Sequence, residues 1–285
     1  MEKIKKANEL YFQNFKWTTA VLLGVAFRYL FTYFGHNFDF DSYCVVGEIS
    51  RHFGNVYAET SRYNYGCIFY FVQAAAYNLS CFVFENETVC VNLYRFLIVS
   101  FLTFVDFGIM FILKIKYGDK AAIVFFLNPV SIYITGYHNQ FDNIAILFML
   151  LGTFFYNEDE KFTKKDLMFV IFFALSLITK HIFFALPVWI LLKRGLPLKK
   201  KIIYACVPPF LFLCSFIPFA GSQEAINGII NNVFLYRSFN NFPLLYLILS
   251  KLQVPSKAYF IIFVLCMAAV GFFAGGQKKD GILRR

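Results

Sequence analysis

Residues 91–113 read VNLYRFLIVSFLTFVDFGIMFIL, a run in which only Arg95 and Asp106 carry charge. A helix of this length covers about 30 Å, which is the thickness of the hydrocarbon core of a bilayer. The run is bounded by polar residues on both sides, Glu87 before it and Lys114 after it. We therefore expect residues 91–113 to form a transmembrane helix.

The rest of the chain has the same character. Of its 285 residues, 59% are hydrophobic, 21% are aromatic and only 15% are charged, and the mean hydropathy is +0.59. A soluble domain needs about a quarter charged residues to cover its surface. Apolar segments long enough or nearly long enough to cross recur at 17–34, 66–84, 91–113, 121–134, 143–156, 167–192, 202–220 and 258–274, with a shorter one at 242–250.

This pattern predicts an all-α, multi-pass transmembrane helical bundle of about 8 to 10 apolar segments, with residues 1–285 as a single membrane domain. Two of the segments contain breaks, one at Asn128-Pro129 and one near Lys180. Broken helices at membrane depth are tolerated where they line a cavity. The first apolar segment lacks a small-residue cleavage site and is expected to act as a signal anchor.

The net charge of +10 indicates membrane orientation rather than nucleic-acid binding, because the basic residues lie between the apolar segments. They cluster before the first segment, at 193–201 and at the end of the chain. The positive-inside rule places these parts in the cytoplasm, and residues 35–65 and 221–241 on the outer side. Counting every segment as a crossing puts Lys114–Lys120 outside, against its charge, so the middle of the topology stays unresolved.

The seven cysteines show no C-x-x-C pair, and most lie inside apolar segments. We read them as small buried hydrophobic residues rather than as a zinc site or a disulfide framework.

Three polar clusters interrupt the apolar sequence. The first, Phe38-Asp39-Phe40-Asp41-Ser42-Tyr43, opens the long outer loop 35–65. Within this loop, residues 42–54 are expected to form an interfacial amphipathic helix with Tyr43, Val46, Ile49 and Phe53 on one side. A carboxylate at this position could act as a general base, and the alternative is the solvated start of a loop. The second cluster covers residues 54–66. It is either an aromatic interface belt or a loop whose Arg62 and tyrosines face a polar headgroup.

The third cluster, His138-Asn139-Gln140-Phe141-Asp142-Asn143, has five hydrogen-bonding side chains among six residues. An N-cap at Asp142 or Asn143 would explain one or two of them. The others must find partners, water or a ligand, because unpaired polar groups are costly to bury. Lys180-His181 stands alone in an apolar segment. The lysine either extends to the interface or faces an anion, of which a lipid phosphate is the obvious one.

Together these motifs resemble the GT-C superfamily of polyprenyl-phosphate-sugar-dependent glycosyltransferases, including the dolichyl-phosphate-glucose glucosyltransferases. The resemblance covers about residues 15–195, so that 1–200 would be a GT-C-like module. The matching motifs are an acidic residue at Asp39 or Asp41, Val56-Tyr57-Ala58-Glu59-Thr60 with Arg62-Tyr63-Asn64-Tyr65-Gly66, Asn128-Pro129, Asn139-Gln140-Phe141-Asp142, and Ile178-Thr179-Lys180 with Leu186-Pro187. Cys67 stands where the family usually has proline, and the N-glycan relatives are much longer, so a compact member or a fragment is expected.

The resemblance implies an inverting transfer of a hexose from a polyprenyl-phosphate donor to an acceptor glycan or lipid, on the non-cytoplasmic side of a bacterial or archaeal plasma membrane or of the endoplasmic reticulum. Asp41 would be the general base, with Asp39 second, and no cofactor or metal is required. Lys180, Arg62 and His138 are the candidates to stabilise the leaving phosphate. The substrate-binding set implied by the matched motifs is Arg62, Tyr63, Asn64, Tyr65, His138, Asn139, Gln140, Asp142, Lys180 and His181. The competing interpretation is a non-enzymatic lipid or polysaccharide transporter, or an inactive GT-C-like subunit.

Overall fold

The computed structural model describes residues 2–235, 251, 261 and 265–273, with side chains from Phe15 onward. This part of the chain is helical and contains no strand. Two helices, Glu87–Tyr117 and Leu198–Phe219, are long and apolar enough to cross a membrane, and up to five spans result if each bent helix pair counts as one. The expected helical class with membrane-length apolar helices is therefore confirmed. The predicted segment at 242–250 lies outside the described residues.

Twelve α-helices make up most of the described chain. Short π-helical segments at Ile134–His138 and Ile229–Phe234, and 3-10 turns at His181–Phe183 and Ile217–Phe219, adjoin them. The helices are α1 (Glu2–Tyr33), α2 (Phe38–Arg51), α3 (Val56–Glu59), α4 (Cys67–Val83), α5 (Glu87–Tyr117), α6 (Asp119–Phe126), α7 (Pro129–Tyr133), α8 (Asp142–Gly152), α9 (Lys164–Thr179), α10 (Leu186–Leu192), α11 (Leu198–Cys214) and α12 (Gln223–Gly228).

Helices α1 and α5 run antiparallel and define the two ends of the bundle. At one end, which we call the Gly35 end, the Arg95 guanidinium donates a hydrogen bond to the Gly35 carbonyl. At the other, the Trp17 end, the Lys114 ammonium lies 3.9 Å from the centre of the Trp17 ring.

The Trp17 end collects the basic segments of the sequence. Lys116 donates to the Thr153 hydroxyl there, Lys193 lies 3.6 Å from Glu158, and Lys200 lies 2.5 Å from Asp166. Residues 114–120 and 193–201 therefore share one end of the molecule, as their charge requires. This arrangement shows at which end of the bundle each of these basic segments lies, which the sequence alone left open.

Helix α4 makes this possible, because both of its ends lie at the Gly35 end. Its start follows Gly66, which packs directly on the Ile178 carbonyl at the end of α9. Its far end is joined to the first turn of α5 by a Cys81–Cys90 disulfide. Residues 66–84 were expected to run from one side of the bundle to the other, whereas α4 begins and ends at the Gly35 end. The reading of all seven cysteines as unpaired is wrong for this pair.

Helix α2 lies along α4 and is turned 81° from α1. The Tyr77 hydroxyl donates to Glu48 at 2.8 Å and Tyr43 and Val46 are buried, as the expected amphipathic helix requires. Phe53, which was expected on the same face, is 97% exposed in a left-handed conformation after the helix end. Because the Asn37 side chain caps the helix at Asp39, Asp39 and Asp41 lie in its first turn rather than in a loop.

Both predicted breaks are present. The chain bends by 43° between α6 and the α7–π segment that follows Asn128-Pro129, and by 113° at Lys180 between α9 and α10. Both broken segments bring polar residues to the Gly35 end. Gln140 follows the π-helical segment and Lys180 lies at the second break, and both belong to the candidate site.

A buried ion pair between α1 and α5 supports the π-helical segment beneath that site. The Arg28 Nε donates to Asp106 at 3.0 Å, and both side chains are essentially inaccessible to solvent. The Asp106 carboxylate also accepts hydrogen bonds from the Thr135 hydroxyl at 2.8 Å and from the Asn143 amide at 2.9 Å. The carboxylate therefore ties α1, the π-helical segment and α8 to α5.

Candidate functional site

Gln140 lies at the centre of a polar cluster at the Gly35 end. Its amide nitrogen donates to the Asp39 carboxylate, and its amide oxygen accepts from the Lys180 ammonium at 2.9 Å. These three side chains come from the first turn of α2, the turn before α8, and the break after α9. One side chain thus connects a carboxylate to a cation from distant parts of the sequence.

Lys180 is further held by Asp142, whose carboxylate lies 2.8 Å from its ammonium. The ammonium also lies 5.1 Å from the centre of the Tyr65 ring and 5.0 Å from that of the Phe141 ring. The side chain is 16% exposed, so this cation is neither free in solvent nor sealed in the core. Such a partly desolvated, immobilised cation is suited to bind an anionic group.

Asp39 is bound on its other side by Asn37. The Asn37 amide nitrogen donates to Asp39 at 2.8 Å and lies 2.7 Å from Nδ1 of His138. The second contact requires Nδ1 to accept, which means that it carries no proton. His138 therefore reaches the cluster through Asn37, with its ring packed against Tyr133.

Tyr43 adds a hydroxyl that sequence reasoning did not single out. Its side chain is 2% exposed, and the hydroxyl has no hydrogen-bond partner among the described residues. Burial raises the pKa of this hydroxyl well above its ordinary value, and the nearby Tyr65 and Asp39 raise it further. A buried hydroxyl without a partner can donate a hydrogen bond to a bound molecule. The sequence signal was its position one helical turn after Asp39.

Asp41 does not take part in this cluster. Its carboxylate is 53% exposed and lies 3.6 Å from Nδ1 of His36. The two carboxylates of the Asp39-Phe40-Asp41 motif therefore point to different surroundings, because positions two apart on a helix lie on different faces.

Of the four residues in the 62–65 motif, Tyr65 contacts the polar cluster directly. Tyr65 packs on Phe141 with ring centres 4.7 Å apart and faces Lys180, as described above. Arg62 is exposed and lies over the Phe38 ring at 4.6 Å, next to Asp39 in sequence. Tyr63 is a core residue whose hydroxyl donates to the Gly66 carbonyl at 2.7 Å, and Asn64 is half-buried.

Two of the proposed binding residues make their contacts outside this cluster. Asn139 is fully buried in a left-handed conformation. Its amide donates to the Thr135 and Gly136 carbonyls at 3.0 and 3.2 Å, which closes the π-helical segment. His181 follows the break and lies beside Phe212 of α11, with 6.2 Å between ring centres.

Asp142 and Asn143 do not cap α8. Phe141 occupies the N-cap position and forms no side-chain cap. Asp142 instead pairs with Lys180, and Asn143 pairs with Asp106 and with the Leu102 carbonyl at 2.9 Å.

The cluster can perform two chemical tasks. A carboxylate that accepts hydrogen bonds from amides, such as Asp39, can remove a proton from a hydroxyl. A cation on the other side of the Gln140 amide, such as Lys180, can stabilise an anion that forms nearby. Among the described residues, no three His, Cys, Asp or Glu side chains come together in a way that could hold a metal ion.

Comparison with known proteins gives no relative for this chain. No protein-family model, no curated protein and no solved structure matches it.

Proposed function

We propose that this chain is an integral membrane glycosyltransferase that transfers a hexose from a polyprenyl-phosphate carrier to a hydroxyl of an acceptor glycan or lipid. The observation that carries the proposal is the hydrogen-bonded path from Asp39 through Gln140 to Lys180. It brings a candidate base and a candidate phosphate-binding cation together from positions 141 residues apart in sequence. The resemblance of the motifs to the GT-C superfamily suggests the reaction that these two groups would catalyse together.

In the proposed reaction, Asp39 removes the proton of the acceptor hydroxyl as its oxygen attacks C1 of the hexose. The bond between C1 and the phosphate oxygen breaks, the configuration at C1 inverts, and polyprenyl phosphate leaves with the electron pair. Lys180 stabilises the negative charge that develops on the phosphate. Exposed Arg62, beside Phe38, would attract the phosphate to the rim of the site.

The geometry favours Asp39 over Asp41 as the base. Asp39 receives hydrogen bonds from Asn37 and Gln140, whereas Asp41 faces His36 and solvent. A general base must lie within hydrogen-bond reach of the proton that it removes. Asp39 shares the cluster with the cation and Asp41 does not.

The proposal places the Gly35 end on the non-cytoplasmic side and the Trp17 end in the cytoplasm. The concentration of lysines at the Trp17 end supports this orientation through the positive-inside rule. The Cys81–Cys90 disulfide at the Gly35 end supports it independently, since disulfides persist in oxidising compartments. The proposed GT-C-like bundle then crosses the bilayer with α1, α5, the α6–π pair and α8 to α11, while α2 and α4 lie outside at the interface.

The test is transfer by purified protein from polyprenyl-phosphate hexoses to a set of lipid-linked acceptors, read by mass spectrometry. Transfer of one hexose with inverted configuration supports the proposal. Binding of polyprenyl phosphate without transfer to any acceptor would instead identify an inactive GT-C-like subunit. Absence of both binding and transfer would overturn the assignment.

A further inference from the structure

A cavity of 380 Å³ lies between α8, α9, α10 and residues 265–273, and none of its lining residues belongs to the candidate site. Its walls are mainly apolar, with Met149, Phe169, Leu186 and Ile190 among them. A cavity of this size is within the usual range for ligand pockets, which is about 300–1,000 Å³. The apolar walls suit a hydrocarbon chain.

The polar part of the cavity is concentrated at the Trp17 end. Lys193, Thr153 and Tyr156 line it there. Lys193 has Glu158 at 3.6 Å, a distance at the edge of a salt bridge, and its side chain is 32% exposed. Its ammonium can therefore reach a second anion at modest cost.

Two further cations, Lys116 and Arg194, lie next to residues that line this part of the cavity without lining it themselves. Lys116 donates to the hydroxyl of Thr153, and the Arg194 guanidinium lies 5.3 Å from the centre of the Phe272 ring. Within the described part of the chain, neither cation forms a salt bridge with a carboxylate. An apolar cavity with three cations around one end matches an amphipathic anion.

We propose that this cavity binds an anionic phospholipid, with an acyl chain between α8, α9, α10 and the 265–273 helix and the headgroup phosphate at Lys193 and Arg194. Basic pockets between membrane helices are suited to anionic headgroups, and the anionic lipids of a cell membrane are concentrated in its cytoplasmic leaflet. The proposal does not depend on the glycosyltransferase assignment, because the cavity and the candidate site have no residue in common.

The experiment measures binding of phosphatidylglycerol and phosphatidylcholine with matched acyl chains to the purified full-length protein in detergent, by native mass spectrometry. Phosphatidylglycerol should bind more tightly than phosphatidylcholine. Lys193→Gln should weaken phosphatidylglycerol binding about fivefold, and Lys193→Gln with Arg194→Gln about thirtyfold, with phosphatidylcholine binding unchanged. Lys199→Gln removes an exposed charge at the same end and is the matched control.

A second pair of variants tests the chain-binding part. Val270→Trp fills the cavity from the 265–273 helix and should abolish binding of both lipids at this site. Phe273→Trp adds a similar ring at an exposed position outside the cavity and should have no effect. Equal binding of the two lipids, an equal effect of Lys199→Gln and Lys193→Gln, or full binding by Val270→Trp would each overturn the proposal.

Discussion

Gln140 connects the polar cluster, because both the nitrogen and the oxygen of its amide form hydrogen bonds to other members of it. Its nitrogen donates to Asp39 and its oxygen accepts from Lys180. A carboxylate at position 140 could not donate to Asp39, and an ammonium could not accept from Lys180. Glutamine is the side chain that can join a base to a cation without changing the charge of either.

We expect Asp39→Asn to abolish transfer, because an amide cannot take a proton from the acceptor hydroxyl. The loss of turnover should be at least about 100-fold, the lower limit for removal of a general base. Asp41→Asn is the matched control, two residues away in the same helix turn, and should keep most of the turnover. Steady-state rates of the two purified variants decide the assignment, and the reverse result would make Asp41 the base.

Tyr43→Phe separates a substrate-binding hydroxyl from a structural one. The hydroxyl is buried and has no hydrogen-bond partner in the described part of the chain. Such a state costs about 1–3 kcal/mol, so removal of the hydroxyl should leave the melting temperature unchanged or higher. Transfer should fall, mainly through a higher KM for the acceptor. A lower melting temperature with unchanged kinetics would show that the hydroxyl supports the fold instead.

Lys180→Met should weaken binding of polyprenyl phosphate by about 1.5–3 kcal/mol, the usual contribution of a hydrogen bond to a charged group. Its cost to stability should be small, about 0–1 kcal/mol, since the Lys180–Asp142 pair is partly exposed. The measurement is a melting curve of each variant with and without polyprenyl phosphate. Asp142→Asn is the companion variant, because it removes the protein's own anion and should keep the donor bound. Loss of stability with unchanged donor affinity would make Lys180 a structural residue.

At the scale of elements, the packing of α1, α5 and the π-helical segment rests on one buried ion pair. Arg28 reaches Asp106, the Gly24 and Phe126 carbonyls and the Ser131 hydroxyl. This full set of partners explains how a charge pair is tolerated in an apolar bundle, where an unpaired charge is expensive. Gly136 fits against the Arg28 carbonyl, where a Cβ would lie 2.4 Å away.

We expect Arg28→Met to destabilise the protein by about 3–5 kcal/mol, because it leaves the Asp106 carboxylate buried without its counter-charge. The double variant with Arg28→Met and Asp106→Leu should recover much of this loss, since no charge stays behind. Thermal unfolding in detergent measures both. Melting temperatures of both variants close to that of the wild type would show that the Arg28–Asp106 pair does not stabilise the fold.

At the scale of the whole molecule, α4 determines which ends of the helices meet. Because it starts and finishes at the Gly35 end, α5 returns toward Trp17 and every basic segment of the described chain lies on one side. The Gly35 end then includes α2, α3, α4, α12, the end of the π-helical segment at Asn139 and the break at Lys180. The residues before α3 and after α11 meet at this end, where the Asn55 amide donates a hydrogen bond to the Phe219 carbonyl at 2.6 Å.

Single cysteines introduced at Ser61 and Glu85 should react with a membrane-impermeant maleimide added to intact cells, and cysteines at Lys120 and Lys199 should react only after permeabilisation. All four positions are exposed, and the background lacks the five unpaired cysteines. Glu85 is the decisive position, since a crossing by α4 would place it opposite Ser61. Labelling of Glu85 only after permeabilisation would show that α4 spans the membrane.

Composition and apolar segment length determined the class of this protein, because a chain with so few charges cannot form a soluble surface. Local chemistry also determined the breaks at Pro129 and Lys180 and the amphipathic helix α2, since each depends on residues adjacent in sequence. The polar run at 138–143 marked the site for the same reason: its neighbours could not satisfy so many hydrogen-bonding groups.

Only the tertiary structure decided which residues of these runs meet. Asn139 and Gln140 are adjacent and similar in chemistry, yet one closes a π-helical segment and the other joins Asp39 to Lys180. Asp39 and Asp41 differ in the same way, through the face of α2 on which each lies. Helix α4 is mostly apolar, and only its packing on α2 and α5 shows that both of its ends lie at the Gly35 end. Hydrophobicity measures the transfer of a segment out of water, and it does not specify which neighbour the segment contacts or at which end of the bundle it lies.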